Sequence, residues 1–489
     1  MKLKFKPLNL ESGRPIAFIN EFSAEKLNVA EGSRIEVIHK KTKLTLAVNL
    51  TEKLLKENEI SFSKEAIAFL KIKKGTLVEI SPALEPVSSH LILKKLNDKE
   101  LSKEEIYSII KAISNNSLNE AEIAYFVSAV YHHGMTMKET KYLTEAMVKT
   151  GNTISWNKRK IADKHSIGGI AGNRTTPIIV AICAAAGITM PKTSSRAITS
   201  AAGTADTLET ITEVVLEEKQ LKQIVKKNNA CLAWGGALGL APADDKMIRV
   251  ERLLNVDPES QLIASILSKK ISIGSTHVLI DIPYGPGAKV SLKKAHKLKK
   301  EFLQVGRHFK LKIDVILTQG REPIGNGIGP ILEMRDILKV LKRKDSPKDL
   351  EQKSVLMAGE IIEMMGKAKK GKGKALAQQI LDSKKALKKF EQIITAQGKK
   401  KTKLLPAKLK HQIKSKSNTK VKLINNKSIN ILARILGSPS TPTSGLYLYK
   451  HISDKVKKGE TILTLYSESP KKLKQGINFF KKNKPITLG

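Results

Sequence analysis

Apolar and polar positions change rhythm several times along this chain, and each rhythm predicts a different kind of element. Up to about residue 88 the alternation is strand-like. Arg34-Ile-Glu-Val-Ile-His and Lys43-Leu-Thr-Leu-Ala-Val read as two strands around the turn-like Lys40-Lys-Thr, and Gly75-Thr-Leu-Val-Glu-Ile-Ser as another. Pro82 and Pro86 then mark a linker. From 100 to 150 the period becomes helical. Ser102-x-x-Glu105, Ser117-x-x-Glu120 and Thr136-x-x-Glu139 are three candidate capping boxes, which predict a small helical bundle. From 160 to 345 strand-like runs alternate with helices. Thr176 to Ala186 predicts a buried helix stopped by Gly187. Thr276-His-Val-Leu-Ile-Asp-Ile and Lys312-Ile-Asp-Val-Ile-Leu-Thr predict buried strands, the second after a basic amphipathic helix near 291–309. Residues 350–400 are helical and lysine-rich, with Lys369–Lys374 an exposed loop. Beyond about 405 the pattern is α+β.

The expected fold class is therefore multidomain α/β. A β-rich N-terminal domain spans 1–88. A helical domain spans 95–160, with further helices from the central region. A central α/β domain with a largely parallel sheet spans 161–345, and C-terminal helices and an α+β domain span 346–489. The length of 489 residues agrees, since it favours roughly two to four domains over one core.

Composition narrows the function classes. No apolar run reaches the roughly eighteen residues of a membrane span, and the basic start lacks the apolar stretch of a secretory signal. The two cysteines, Cys183 and Cys231, sit in apolar runs, which predicts buried free thiols and a cytoplasmic protein. The net charge of +41 comes mostly from lysine, and aromatics are only 4%. Base readout favours arginine and single-strand platforms need aromatics, so the charge reads chiefly as solvated surface. It would still draw in anions.

Two segments concentrate candidate chemistry. Asp163-Lys-His-Ser-Ile-Gly-Gly-Ile-Ala-Gly-Asn-Arg-Thr-Thr176 sets two adjacent glycines and a lysine before a helix N-terminus. Backbone N–H groups there can approach an anion without Cβ interference, with Lys164, Ser166, Thr175 and Thr176 as further donors. The plainer alternative is a turn before a helix. Lys192-Thr-Ser-Ser-Arg-Ala-Ile-Thr-Ser-Ala-Ala-Gly-Thr-Ala-Asp206 is a polar segment between apolar runs. Its hydroxyls could grip sugar or phosphate oxygens and Arg196 could pair with an anion; equally, it could be a solvent loop with caps. Asp206 reads as a cap or a catalyst. Asp257 precedes Pro258 and could simply cap the next helix, on which Ser265 and Lys269 share a face. Gly325, Gly327 and Gly329 do not make a dinucleotide fingerprint. Neither a P-loop nor a metal-ligand cluster is present.

Lys164-His-Ser-Ile-Gly-Gly, with Ser195-Arg-Ala-Ile-Thr and Gly203-Thr-Ala-Asp, resembles the signature of the thymidine/pyrimidine-nucleoside phosphorylase family. Ala129-Val-Tyr-His-His-Gly-Met-Thr, Ala241-Pro-Ala-Asp, Leu317-Thr with Pro323-Ile-Gly, and Phe390 through Ala396-Gln-Gly agree in order, so the likeness spans about 95–489. The N-terminal domain, Asn173-Arg-Thr-Thr-Pro and Lys192-Thr-Ser-Ser-Arg resemble the long form. That form includes AMP phosphorylases and bacterial proteins provisionally called thymidine phosphorylases.

The resemblance implies a pentosyltransferase. Phosphate would displace the base of a thymidine-type nucleoside, giving free base and (deoxy)ribose 1-phosphate. The other substrate version is a nucleoside 5′-monophosphate such as AMP, giving ribose 1,5-bisphosphate; Arg174, Lys192 and the basic field favour it on physical grounds. Carried over residue by residue, Lys164, Ser166 and Thr204 would hold phosphate and Asp257 would donate the proton. Gly169, Ser195, Arg196, Ala197, Ile198, Thr199, Ser200, Ser265 and Lys289 would contact substrate, with His165, Ser265 and Lys269 near the base. Inorganic phosphate would be a co-substrate, with no metal or organic cofactor and no membrane partner, in a homodimer or higher homo-oligomer. Two departures stand out. The family's base-contacting arginine falls at Val250 or Glu251, and lysines replace a Gly-Gly-Asp pattern after Ala396-Gln-Gly. The rival of another class is a polyanion- or RNA-binding protein on the same scaffold.

Overall fold

The computed structural model describes residues 1–12, 15–83, 88–197 and 200–489, and the chain divides into two compact units. The first comprises Met1–Gly151 and Pro242–Gln261. It opens with a closed barrel of β1 (Lys2–Phe5), β2 (Ile16–Asn20), β3 (Arg34–His39), β4 (Thr42–Thr51), β5 (Glu59–Phe62) and β6 (Leu77–Pro82), in the order β1-β5-β2-β4-β3-β6. Every other residue of β3 and β4 is buried, so Ile35, Val37, Leu44, Leu46 and Val48 fill the barrel. Two short helices, α1 (Glu21–Leu27) and α2 (Lys64–Leu70), pack on it.

Four helices follow: α3 (Ser88–Leu96), α4 (Lys103–Ser114), α5 (Glu120–His133) and α6 (Met137–Lys149). Ser102 with Glu105 and Thr136 with Glu139 form the expected reciprocal capping boxes. The middle box differs. Asn119, not Ser117, caps α5, and Glu122 reaches back to it. Asn is as good a cap as Ser, and the helix starts where the apolar face of Ile123, Phe126 and Val127 begins. A buried Lys95–Glu139 pair at 3.0 Å joins α3 to α6.

The second unit comprises Asn152–Ala241 and Leu262–Gly489. Its elements begin with β7 (Ala162–Ser166), α7 (Thr175–Ala185), β8 (Met190–Ser194), α8 (Thr204–Glu209), α9 (Glu218–Asn228) and β9 (Ala230–Trp234). The chain then contributes α10 (Pro242–Leu254) to the first unit and runs through α11 (Glu259–Ser272) into β10 (His277–Tyr284), α12 (Leu292–His308) and β11 (Lys312–Gln319). β7, β10 and β11 form a parallel sheet with β10 in the middle, and β8 pairs parallel with β9. β10 is buried on both faces, as its apolar run requires. Next come β12 (Gly327–Ile328), α13 (Pro330–Lys342), α14 (Lys348–Met364), α15 (Gly373–Asp382) and α16 (Lys385–Ala396). α7 is apolar after its first two residues and buried from Thr175 to Ala184, enclosed chiefly by α14 and α16.

The C-terminal part adds β13 (Leu409–Lys414), β14 (Thr419–Ile424), α17 (Asn426–Leu436), β15 (Gly445–Leu448), β16 (Lys455–Val456), β17 (Thr461–Ser467), α18 (Pro470–Asn483) and β18 (Ile486–Leu488). Its core reaches Ala171 and Ala201, one in each chemistry-bearing segment. Both cysteines are buried free thiols. Burial pushes Cys183 up, and Cys231 up to about 12. No helix among the described residues is long and apolar enough to cross a membrane.

Candidate active site

β7 carries the densest chemistry, and strand geometry sorts it. Lys164 and Ser166 project to one face, Asp163 and His165 to the other. Lys164 is 2% exposed. Its Nζ donates to Thr175 Oγ1 at 3.0 Å and lies 3.5 Å from Thr176 Oγ1, in the first turn of α7. Among the described residues no carboxylate lies within ion-pair distance of it. Burial lowers its pKa to about 8 despite the field of Asp281. A buried ammonium beside hydroxyls and a helix N-terminus is equipped to receive an oxyanion.

Gly168 and Gly169 follow with φ of +87° and +92°, which a side chain rarely adopts. A Cβ on Gly169 would lie 2.7 Å from Lys289 Cγ, so the bare backbone lets Lys289 lie across the loop. The structure thus brings Lys289, Gly169 and Lys164 into one region. Asn173 Nδ2 approaches Ser166 Oγ at 3.5 Å.

On the other face Asp163 is fully buried between two lysines, with Lys270 Nζ at 2.8 Å and Lys192 Nζ at 3.3 Å. Burial pushes the Asp163 carboxyl up, but the two cations hold it below its usual range. Burial also brings Lys270 down to about 7, against the pull of Asp163. Part of the His165 ring reaches solvent. The rest is packed deeply enough that burial, reinforced by Lys270, Lys192, Lys164 and Lys269, holds it well below its usual value and keeps it neutral. Lys269 is thereby placed near His165, on α11 with Ser265 one turn away.

The second segment folds back on itself. Gly203 approaches the backbone so closely that a Cβ would lie 2.4 Å from the Arg196 carbonyl carbon. Asp206, at the third position of α8, accepts from the N–H groups of Gly203 at 2.7 Å and Ala197 at 2.8 Å. It therefore caps α8, as one of its readings expects. Arg196 pairs with carboxylates of the protein itself. It is forked onto Glu209, bonded to Asp206 at 3.2 Å, and stacked on Trp234 at 4.8 Å. Ser195 is exposed, and Thr204 starts α8. Ser200 Oγ donates to the Ala202 carbonyl. Ile198 and Thr199 lie outside the described residues, as does Pro86 of the linker. Ser194 Oγ is buried with no hydrogen-bond partner among the described residues.

The two cations read as favouring an anionic substrate are already engaged. Arg174 Nε pairs with buried Glu333 at 2.6 Å and its guanidinium also donates to the Ala202 carbonyl; Lys192 pairs with Asp163. A buried cation is rarely left alone, and each has found a carboxylate that local spacing does not reveal. Both strap the segment at 200–203 and β8 to their surroundings.

Asp257 lies in the first unit, exposed, in the irregular connection 255–258 between α10 and α11. α11 begins at Glu259, two residues on. Val250 is 2% exposed, part of the buried face of α10.

Sequence reasoning missed two sets of residues. Asn426 and Asn430, one turn apart on α17, accept from the N–H groups of Ala171 at 3.1 Å and Ala201 at 2.8 Å, so the C-terminal part ties both segments down. Asp281 and Lys353 pair at 2.9 Å behind Lys164. A carboxylate within Val278-Leu-Ile-Asp-Ile282 was the available signal, since a buried charge demands a partner.

Comparison with known proteins agrees with this architecture. Residues 89–151 match the helical bundle domain of a glycosyl transferase family, 158–258 its a/b domain, and 420–487 the pyrimidine nucleoside phosphorylase C-terminal domain. The AMP phosphorylases of Natronomonas pharaonis and Pyrococcus furiosus are 39% and 40% identical, each over 100% of this chain and 98% of theirs. A Ralstonia nicotianae protein provisionally named a thymidine phosphorylase is 40% identical over 98% of this chain and 95% of its own. Anthranilate phosphoribosyltransferase from Thermus thermophilus shares the fold, with a TM-score of 0.52 at 17% identity, covering 63% of this chain and 98% of that one. With relatives of such identity matching from end to end, the chain belongs to the thymidine/AMP phosphorylase family.

Proposed function

We propose that the protein catalyses the reversible phosphorolysis of a nucleoside 5′-monophosphate, with AMP as the leading substrate. A phosphate oxygen bonds to the anomeric carbon as the bond to the base nitrogen breaks. The base leaves with the electron pair and takes up a proton, giving free base and ribose 1,5-bisphosphate. Lys164, Ser166 and Thr204 hold phosphate, which converts the attack into a positioned, effectively unimolecular step. Asp257 supplies the proton. Gly169, Ser195–Ser200, Ser265 and Lys289 contact the substrate, and neutral His165 lies toward the base with Ser265 and Lys269.

The observation that carries this reading is the Lys164 ammonium, buried beside two threonine hydroxyls with no carboxylate within ion-pair distance among the described residues. The end-to-end matches to archaeal AMP phosphorylases support the monophosphate. A thymidine-type nucleoside is the second reading, supported by the Ralstonia relative. The chemistry needs no metal or organic cofactor, so activity should survive chelation. We place the enzyme in the cytoplasm as a homodimer or larger homo-oligomer.

Phosphate-dependent base release from AMP, thymidine and uridine, assayed in parallel, tests the proposal. AMP turnover at the highest kcat/KM supports it. A preference for thymidine selects the second reading. No release from any of them, by folded protein, removes both.

A further inference from the structure

The parallel register sets Asp281 of β10 opposite Ser166 of β7, with Leu279 opposite Lys164. Asp281 therefore projects to the same face of the sheet as Lys164 and Ser166. It is fully buried. Thr318 of β11 donates to its Oδ1 at 2.6 Å, and Lys353 Nζ of α14 lies 2.9 Å from its Oδ2 and donates to Thr318 Oγ1 at 3.0 Å. Lys353 is largely buried, its side chain 9% exposed. Two ammonium groups on this face thus share one carboxylate, and only Lys353 is within ion-pair distance of it.

We propose that Asp281 and Lys353 are a positioning pair for the phosphate site: Asp281 holds the Lys164 ammonium charged behind an incoming phosphate, and Lys353, by sharing Asp281, limits that hold. The inference rests on Lys164 being the phosphate ligand. The charged groups whose fields reach Lys164 are Asp281 from β10, Lys353 from α14, Arg174 before α7 and, from the opposite face of its own strand, Asp163. Asp163 is divided between Lys192 and Lys270, and Arg174 is matched by Glu333. Asp281 is therefore the principal field favouring the charged form, and Lys353 the principal opposing charge. Burial pushes the Asp281 carboxyl up, but Lys353 and Lys164 hold it below its usual range, so it is ionised wherever the enzyme would work.

The two variants carry opposite signs, which a purely structural role does not produce. Asp281→Asn removes the anion. Lys164 should then lose its proton at lower pH, so the rise of the phosphate KM on the alkaline side should begin about one pH unit or more earlier. Lys353→Met removes the competitor and should move the same rise to higher pH. In both variants kcat at saturating phosphate should change less than KM. The experiment is the pH profile of phosphate KM and kcat between about pH 6.5 and 9.5, with phosphate titrations followed calorimetrically in the full chain. Shifts in the same direction, or none in folded variants, overturn the inference. Should Asp281→Asn not fold, the Lys353→Met profile decides alone: an upward shift supports the pair and any other result rejects it. Lys164→Met separates the two levels. If it leaves the phosphate KM unchanged, the phosphate assignment itself fails. If it abolishes phosphate binding while the Asp281 and Lys353 variants keep the parent profile, only the pair is wrong.

Discussion

Lys164 shows how one side chain can be legible as a type and illegible as a state. Its place before Gly168 and Gly169 marks it as a candidate anion ligand from the sequence. What tunes it, a carboxylate on β10 and a lysine on α14, lies more than a hundred residues away in the chain. Lys164→Met should weaken kcat/KM for phosphate by roughly 10²–10³, the usual cost of one buried donor at a reacting oxyanion. The parent pH profile has a definite sign. Burial brings Lys164 to about 8, so the ammonium is present below that pH and lost above it, and phosphate binding should weaken as pH rises through about 8. Asp257→Asn should cost roughly 10²–10⁴ in kcat, with phosphate binding nearly intact. A kcat unchanged by that substitution would remove Asp257 from the mechanism. Lys289 could be selected only by family likeness, and Lys269 little better by its shared face with Ser265, because a lysine on a helix or loop looks the same in sequence whether solvated or functional.

At the scale of elements, periodicity was a sufficient guide wherever burial is one-sided or complete. α7, β10 and α12 follow their apolar patterns closely, whereas β11, expected as a buried strand, lies at the edge of its sheet with Val315 alone buried along it. Caps are less legible, since Ser117 and Asn119 both offer an acceptor and only the apolar face of α5 chooses between them. Pairings across elements were not legible at all. Arg174, Lys192 and Arg196 each looked available, and each is held by a carboxylate from the fold: Glu333 on α13, Asp163 on β7, Glu209 on α8. The Arg174–Glu333 strap makes a prediction at this scale. Burial, only partly offset by Arg174, raises the Glu333 carboxyl above its usual range, and Thr207 Oγ1 donates to it at 3.0 Å. Glu333→Gln leaves Arg174 buried without a counter-charge and should cost about 3–5 kcal/mol of stability by thermal or denaturant unfolding. The segment at 200–203 should loosen with it, raising KM for both substrates before kcat falls. A variant with parental stability would show that water already compensates Arg174.

At the scale of the whole molecule the question is what a net charge of +41 does. The buried lysines of the site are matched in part by Asp163 and Asp281; on the surface many lysines pair with glutamates, but the cations outnumber the carboxylates, and the summed field of the excess extends into solvent. Such a field raises the encounter rate of anions in proportion to their charge, and salt removes the advantage once the Debye length falls to about 8–10 Å. AMP carries a phosphate and thymidine does not. With inorganic phosphate held saturating, kcat/KM for AMP should fall several-fold as ionic strength rises from about 0.02 to 0.2 M, while that for thymidine should stay nearly flat. Saturating phosphate is the necessary control, because it is itself an anion subject to the same field. Equal salt dependence for AMP and thymidine would mean that the field does not distinguish the two substrates, and the charge would then say nothing about the choice of AMP. The same titration separates the polyanion-binding alternative. Steering by diffuse lysines predicts RNA contacts that vanish at physiological ionic strength and survive deletion of Lys369–Lys374. A built nucleic-acid site would keep RNA there and lose it with that loop. Arginine is sparse and aromatics are only 4% of the chain, so little is available to hold bases once the ionic attraction is screened, and the salt-labile outcome is the expected one.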